Sequence, residues 1–118
     1  MKTHKDLNVW KRAIEFVTIL YKITDNFPKS EIYGLTSQLR RASVSVPSNI
    51  AEGAARNHDK EFIQFLYVAL SSSVEVETQL LISYNLKFIT KTELEDLTNE
   101  LDIIGKMIQG LIKSIKSK

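Results

Sequence analysis

Residues 38–53 read QLRRASVSVPSNIAEG, a helical pattern with a proline in its middle. At about 100° per residue the stretch and its flanks resolve into three faces. Leu35, Leu39, Ala42, Val46, Ile50 and Gly53 share one apolar face. Gln38, Arg41, Ser45, Ser48, Asn49, Glu52 and Arg56 form a polar stripe. Arg40, Val44, Pro47, Ala51 and Ala55 form a third face of mostly small groups. Such a helix has three neighbours to satisfy: a core, water or a ligand, and a second packed surface. Pro47 cannot donate to the carbonyl of Ser43, and its ring pushes that carbonyl aside, at roughly 3 kcal/mol in an ordinary helix interior. The expectation is one helix kinked near Pro47, with the Ser43 and Ser48 hydroxyls beside the loosened backbone. The competing reading is a break near Val46.

Working outward, three more helical patterns flank this one, and no convincing strand occurs. In the first, Trp10, Ala13, Val17, Leu20, Thr24 and Phe27 recur at steps of three and four, with Asp6 or Asn8 as a start signal and Phe27-Pro28 as a stop. The third runs from about Asp59, a plausible N-cap, to Leu86, with Phe62, Leu66, Ala69, Ser73, Val76 and Leu80 inward. Ser71-Ser72-Ser73 lies mid-helix, where a hydroxyl can bond back to the preceding turn. In the fourth, Leu94, Leu97, Leu101, Ile104, Ile108, Leu111 and Ile115 repeat as strict heptad positions, and Thr92 with Glu95 reads as a capping box. Gly105 and Gly110 inside it suggest close approach of a neighbour. Short connections make the expected architecture an all-α, antiparallel up-down-up-down four-helix bundle, one domain over residues 1–118.

At 118 residues the chain is long enough to bury a core without staples. It has no cysteine, which excludes disulfides and thiolate metal sites. Its first residues, MKTHKDLNVWKRAIEF, lack a signal-peptide pattern, and no run approaches the roughly 20 apolar residues of a membrane span. The expectation is a cytoplasmic protein with no membrane partner. Net charge is only +2, but residues 1–60 carry ten Lys/Arg against six Asp/Glu, and residues 61–118 carry six against eight. A basic half favours nucleic acid; ordinary surface scatter is the bland alternative.

Catalytic patterns are missing. His4 and His58 are far apart, and no metal-binding helix pair, di-iron spacing or phosphate loop occurs. Glu93, Glu95 and Asp96 read as a favourably charged helix start rather than a metal cluster. The expectation is a non-enzyme with no cofactor and no metal. Glu52 and Arg56 have the favourable order for an intrahelical ion pair, roughly 0.2–0.5 kcal/mol, and with Gln38 and Asn49 make a candidate polar network. Alternatively Arg40, Arg41 and Arg56 present guanidinium forks to phosphate, with Asn49 as a hydrogen-bonding partner and no aromatic platform beside them.

The first helix is apolar over most of its circumference, since Val9, Ile14, Phe16, Ile19, Tyr21 and Ile23 add to its inner stripe. A bundle of this size encloses none of its helices, so a homo-oligomer is expected. Its interface is expected at Val9, Phe16 and Ile23 of the first helix and Val44, Pro47 and Ala51 of the second.

The series Phe27-Pro28-x-x-Glu31-x-Tyr33-Gly34-Leu35-x-x-Gln38-Leu39-Arg40-Arg41-Ala42-x-x-Ser45-Val46-x-x-Asn49-Ile50-Ala51-Glu52-Gly53 resembles the signature of the 23S ribosomal RNA intervening-sequence proteins. The resemblance continues through Phe65-Leu66-x-x-Ala69 and Glu75-x-Glu77-x-Gln79-Leu80, and departs from the family at Ser71-Ser72-Ser73, where Gly-Ser-Leu is commoner. It implies a small bacterial four-helix bundle that assembles as a ring, commonly a pentamer. It also implies, through likeness to bundle-type accessory proteins of retroelements, association with RNA, DNA or a ribonucleoprotein. The alternative is a self-assembling scaffold that binds a protein partner without nucleic acid.

Overall fold

Start and stop signals place four α-helices in the computed structural model, which describes residues 3–118. They are α1 (Asn8–Thr24), α2 (Leu35–Ala54), α3 (Asp59–Asn85) and α4 (Lys91–Lys116), with single 3-10 turns at His4–Asp6 and Lys29–Glu31. No strand occurs among the described residues, and the fold is an all-α four-helix bundle. Each helix packs on the next in the chain, and α1 also meets α4, which closes the bundle around one core.

The helix starts differ from the sequence expectation in register. The N–H of Leu7 is taken by the carbonyl of His4 at 3.0 Å, so the 3-10 turn delivers Leu7 as the cap of α1, and Asn8 is already helical. At α3 the cap position is His58, and Asp59 sits one residue inside, still favourable to the helix dipole. At α4 the capping box is Thr90 with Glu93, not Thr92 with Glu95. Thr90 Oγ1 accepts from the Glu93 N–H at 3.1 Å, and Glu93 Oε1 accepts from the Thr90 N–H at 2.9 Å. Both pairs fit the motif; only Thr90 keeps the extended backbone that a cap needs (φ −81°, ψ 165°). At α2 the cap is Gly34, and the carboxylate of Glu31 reaches over it to accept from the N–H of Leu35 at 3.1 Å.

Helix α2 runs unbroken through Pro47, so the break near Val46 does not occur. All six residues of its expected core face are buried. The six inward residues expected in α3 are buried too, joined by Gln79 and Ser83. In α1 the buried stripe is Val9, Ala13, Phe16, Leu20 and Thr24, rotated by one residue from Trp10 and Val17, which are half-buried. This corrects the interface expectation at Val9 and Phe16: both lie inside the chain's own core, 4% and 3% exposed. In α4 the stripe passes through Ile112 rather than Leu111 on its way to Ile115, because a straight helix drifts about 20° per heptad against a strict seven-residue repeat.

The close approach expected at Gly105 and Gly110 belongs to Gly53 instead. A Cβ at Gly53 would lie 2.8 Å from Cβ of Phe65 and 2.9 Å from Cδ1 of Phe62. One at Gly105 would make an ordinary 3.6 Å contact with Leu70, and at Gly110 there is open space. One further difference concerns α3, which is long and apolar enough to cross a membrane by length and composition, with a mean hydropathy of 1.2 over its best window. In the bundle its inner stripe is packed against α2 and α4, as that of a core helix would be.

Candidate nucleic-acid interface

The three arginines expected to face phosphate have three different environments. Arg40 is spent on the fold. Its Nε donates to Thr24 Oγ1 at 2.9 Å, and its Nη2 donates to the carbonyl of Tyr21 at 3.2 Å and to Asp25 Oδ1 at 2.9 Å. The guanidinium also lies over the Tyr21 ring, 4.5 Å from its centroid. It thus ties α2 to the C-terminal carbonyls of α1, where a cation is favoured. Arg41 is exposed and makes no hydrogen bond or ion pair among the described residues. Arg56 is exposed and lies over the Phe65 ring at 4.8 Å. At 1.5 Å per residue, Arg41 stands about 20 Å along α2 from its last residue, Ala54, and Arg56 lies beyond that end, so they do not form one patch.

The polar network also differs from the expectation. Asn49 Nδ2 donates to the carbonyl of Ser45 at 2.8 Å and to its Oγ at 2.9 Å, and Ser72 on α3 donates to the same Oγ at 2.9 Å. The Ser72–Ser45 bond joins α2 to α3, and the Asn49 amide N–H group is turned back onto its own helix. Glu52 and Arg56 form no ion pair among the described residues, because α2 ends at Ala54 and Arg56 lies beyond the helical register that would have aligned them. Gln38 is exposed and stands outside the network.

What the sequence reading missed is a convergence at one end of the bundle. Lys116 Nζ donates to Tyr67 OH at 3.2 Å and lies 5.5 Å from that ring, and Lys118 Nζ is 3.7 Å from Asp59. The last turn of α4 thus lies beside the first turns of α3, where Arg56 covers Phe65. Arg56, Lys60, Lys113, Lys116 and Lys118 are all exposed here, facing only a few acids such as Asp59 and Glu61. Two aromatic rings accompany the cations on different sides of α3: Phe65 under Arg56 on the α2 side, and the half-exposed Tyr67 beside Lys116 on the α4 side. The only signals in the sequence are the separate segments 56–60 and 113–118, each ordinary by itself.

The seam between α1 and α4 holds the other strong charge arrangement. Arg12 Nε and Nη2 make a two-pronged contact with Glu100, both at 2.8 Å. Those bonds, then the charge of Glu100, raise the Arg12 pKa against a small desolvation penalty, with a lesser contribution from Glu15. A raised base pKa adds stability at every pH below its ordinary value and loses it only above, so Arg12 imposes no pH dependence near neutrality. Among the described residues no group of three His, Asp or Glu is placed to hold a metal ion.

The expected interface residues separate as well. Val44 and Ala51 line a shallow groove of about 460 Å³ between α1 and α2, together with Trp10, Ile14 and Val17; Pro47 borders it but is itself buried, which corrects the expectation there as at Val9 and Phe16. Ile23 lies instead on the α1–α4 seam.

A family model described as 23S rRNA-intervening sequence protein matches residues 5–110. Among solved structures, one from Bacteroides thetaiotaomicron VPI-5482, described as a protein with unknown function from the S23 ribosomal protein family, superposes with a TM-score of 0.80 at 26% identity. That match covers 89% of this chain and 98% of the other. Among curated proteins, none matches the chain.

Proposed function

The chain belongs to the 23S rRNA-intervening sequence protein family, and from that premise we propose that it is a non-enzymatic bundle that assembles as a homo-oligomeric ring and holds nucleic acid by its basic end. The observation that carries this reading is the pair of cation–ring contacts at one end of the bundle, Arg56 over Phe65 and Lys116 beside Tyr67, with the exposed Lys60, Lys113 and Lys118 on the same terminal turns. Cations from three segments supply phosphate contacts without sequence preference, and a half-exposed ring gives an unpaired base a surface to stack on. Repeating the end around a ring multiplies a weak contact into a useful one. Arg41, 20 Å or so away, contributes at most a separate phosphate contact.

The test is a mobility shift with a ribosomal RNA hairpin and a DNA duplex. Binding is expected at about 50 mM salt and should weaken at least tenfold by about 200 mM. Lys113→Glu with Lys116→Glu should abolish it, while Arg40→Lys should not. If neither nucleic acid shifts at low salt, the reading is wrong, and the alternative of a scaffold for protein partners takes its place.

A further inference from the structure

Helices α1 and α4 make the sparsest of the four helix–helix packings, and their seam opens into a groove of about 310 Å³. Its two walls differ in kind. On α1, Phe16, Ile19 and Ile23 stand at i, i+3 and i+7; on α4, Glu93, Asp96 and Glu100 repeat the same spacing. Residues so spaced lie along one face of a helix, one per turn. The groove is therefore an apolar ladder beside an acidic ladder, each about 10 Å long by the helical rise. Glu15 adds a carboxylate on the α1 side, and only Arg12, locked on Glu100, offsets the negative charge. Ile19 is 50% exposed, Asp96 is exposed, and neither has a partner among the described residues.

We propose that this seam is the docking groove for a cationic amphipathic helix of another protein. Charge complementarity selects the occupant. A helix carrying Lys or Arg along one stripe and Leu or Ile along the next would match both ladders at their own pitch, with its apolar side chains over Ile19 and Ile23 and its cations over Glu15 and Asp96. This is the helix-in-groove mode of recognition, with the acidic wall fixing which face enters. The surface is separate from the basic end and repels nucleic acid, so the inference stands or falls independently of that proposal.

The test uses a fluorescein-labelled Leu/Lys amphipathic peptide of about 18 residues, long enough to form a helix, and a Leu/Glu peptide of the same pattern. Anisotropy should show micromolar binding of the first and none of the second. Glu15→Lys with Asp96→Lys, and separately Ile19→Gln, should each weaken binding at least tenfold. Glu75→Lys with Glu77→Lys, equal in charge change but on α3, should leave it unchanged. Failure of the Leu/Lys peptide to bind, or equal weakening by the α3 variant, overturns the proposal. So does dissociation of the native assembly by the seam variants, which would assign the groove to a second copy of the chain.

Discussion

Arg40 and Arg41 are neighbours in the chain with opposite environments. Arg40 has three acceptors and a ring beneath it; Arg41 has water. The ion pair with Asp25 is worth little, since that carboxylate is 76% exposed. The bond to the hydroxyl of Thr24 is the one that matters, because Thr24 is 2% exposed and the Arg40 Nε–H donates to its oxygen away from water. Arg40→Ala is therefore expected to lower the unfolding free energy by about 1–2 kcal/mol, and Arg41→Ala by less than about 0.5 kcal/mol, both read from urea midpoints. Equal losses would refute the assignment. The helical wheel put the two cations on different faces, Arg41 on the polar stripe and Arg40 on the small-residue face; the sequence had no means of showing that the last turn of α1 would come within reach of Arg40.

At the scale of the element, the end of α3 departs most from common practice. Lys87 adopts φ 68°, the left-handed conformation usually left to glycine. Its N–H donates to the carbonyl of Tyr84 and that of Phe88 to the carbonyl of Ser83, both at 2.9 Å, which makes a Schellman cap. Phe88 then packs against Phe27, 5.4 Å between ring centroids, and fixes the turn into α4. Lys87→Gly should raise stability by about 0.5–1 kcal/mol, because the conformation remains and the side-chain clash is removed. Glycine elsewhere tests the converse. Gly110→Ala should stabilise by up to about 1 kcal/mol, while Gly53→Ala should destabilise, since its methyl would meet the Cβ of Phe65 at 2.8 Å. Thermal melts of the three variants check all of these signs. The four helices were legible because the core stripes of α2 and α3 keep their period without competition. Their first residues were less so: Thr90 and Thr92 offer the same motif, and only the path of the incoming chain decides between them.

The whole molecule is a rod of about 46 × 24 × 19 Å, and its candidate surfaces are assembled by that shape. The basic end draws on segments more than fifty residues apart in sequence, which no local pattern announces; the α1–α2 groove, by contrast, was half visible in the small third face of α2. The accessible surface is 7346 Å², against roughly 6,500 Å² for a typical folded monomer of this mass. The surplus, on the order of 800 Å², is about one partner's share of a standard interface. Part of it is apolar: Ile14 and Val44 beside the α1–α2 groove are 41% and 38% exposed, and Tyr33 before α2 is 95% exposed with Ile32 next to it. Water in contact with so many large apolar groups favours their removal by a second copy, and tyrosine is among the residues that most often anchor such contacts. Light scattering at micromolar concentration is therefore expected to give a multiple of 13.5 kDa. Ile14→Glu with Val44→Glu should return the protein to a monomer of unchanged helicity, since neither residue is in the core. A stable 13.5 kDa species in the unaltered protein would remove the ring from the proposed function and leave the basic end to act alone.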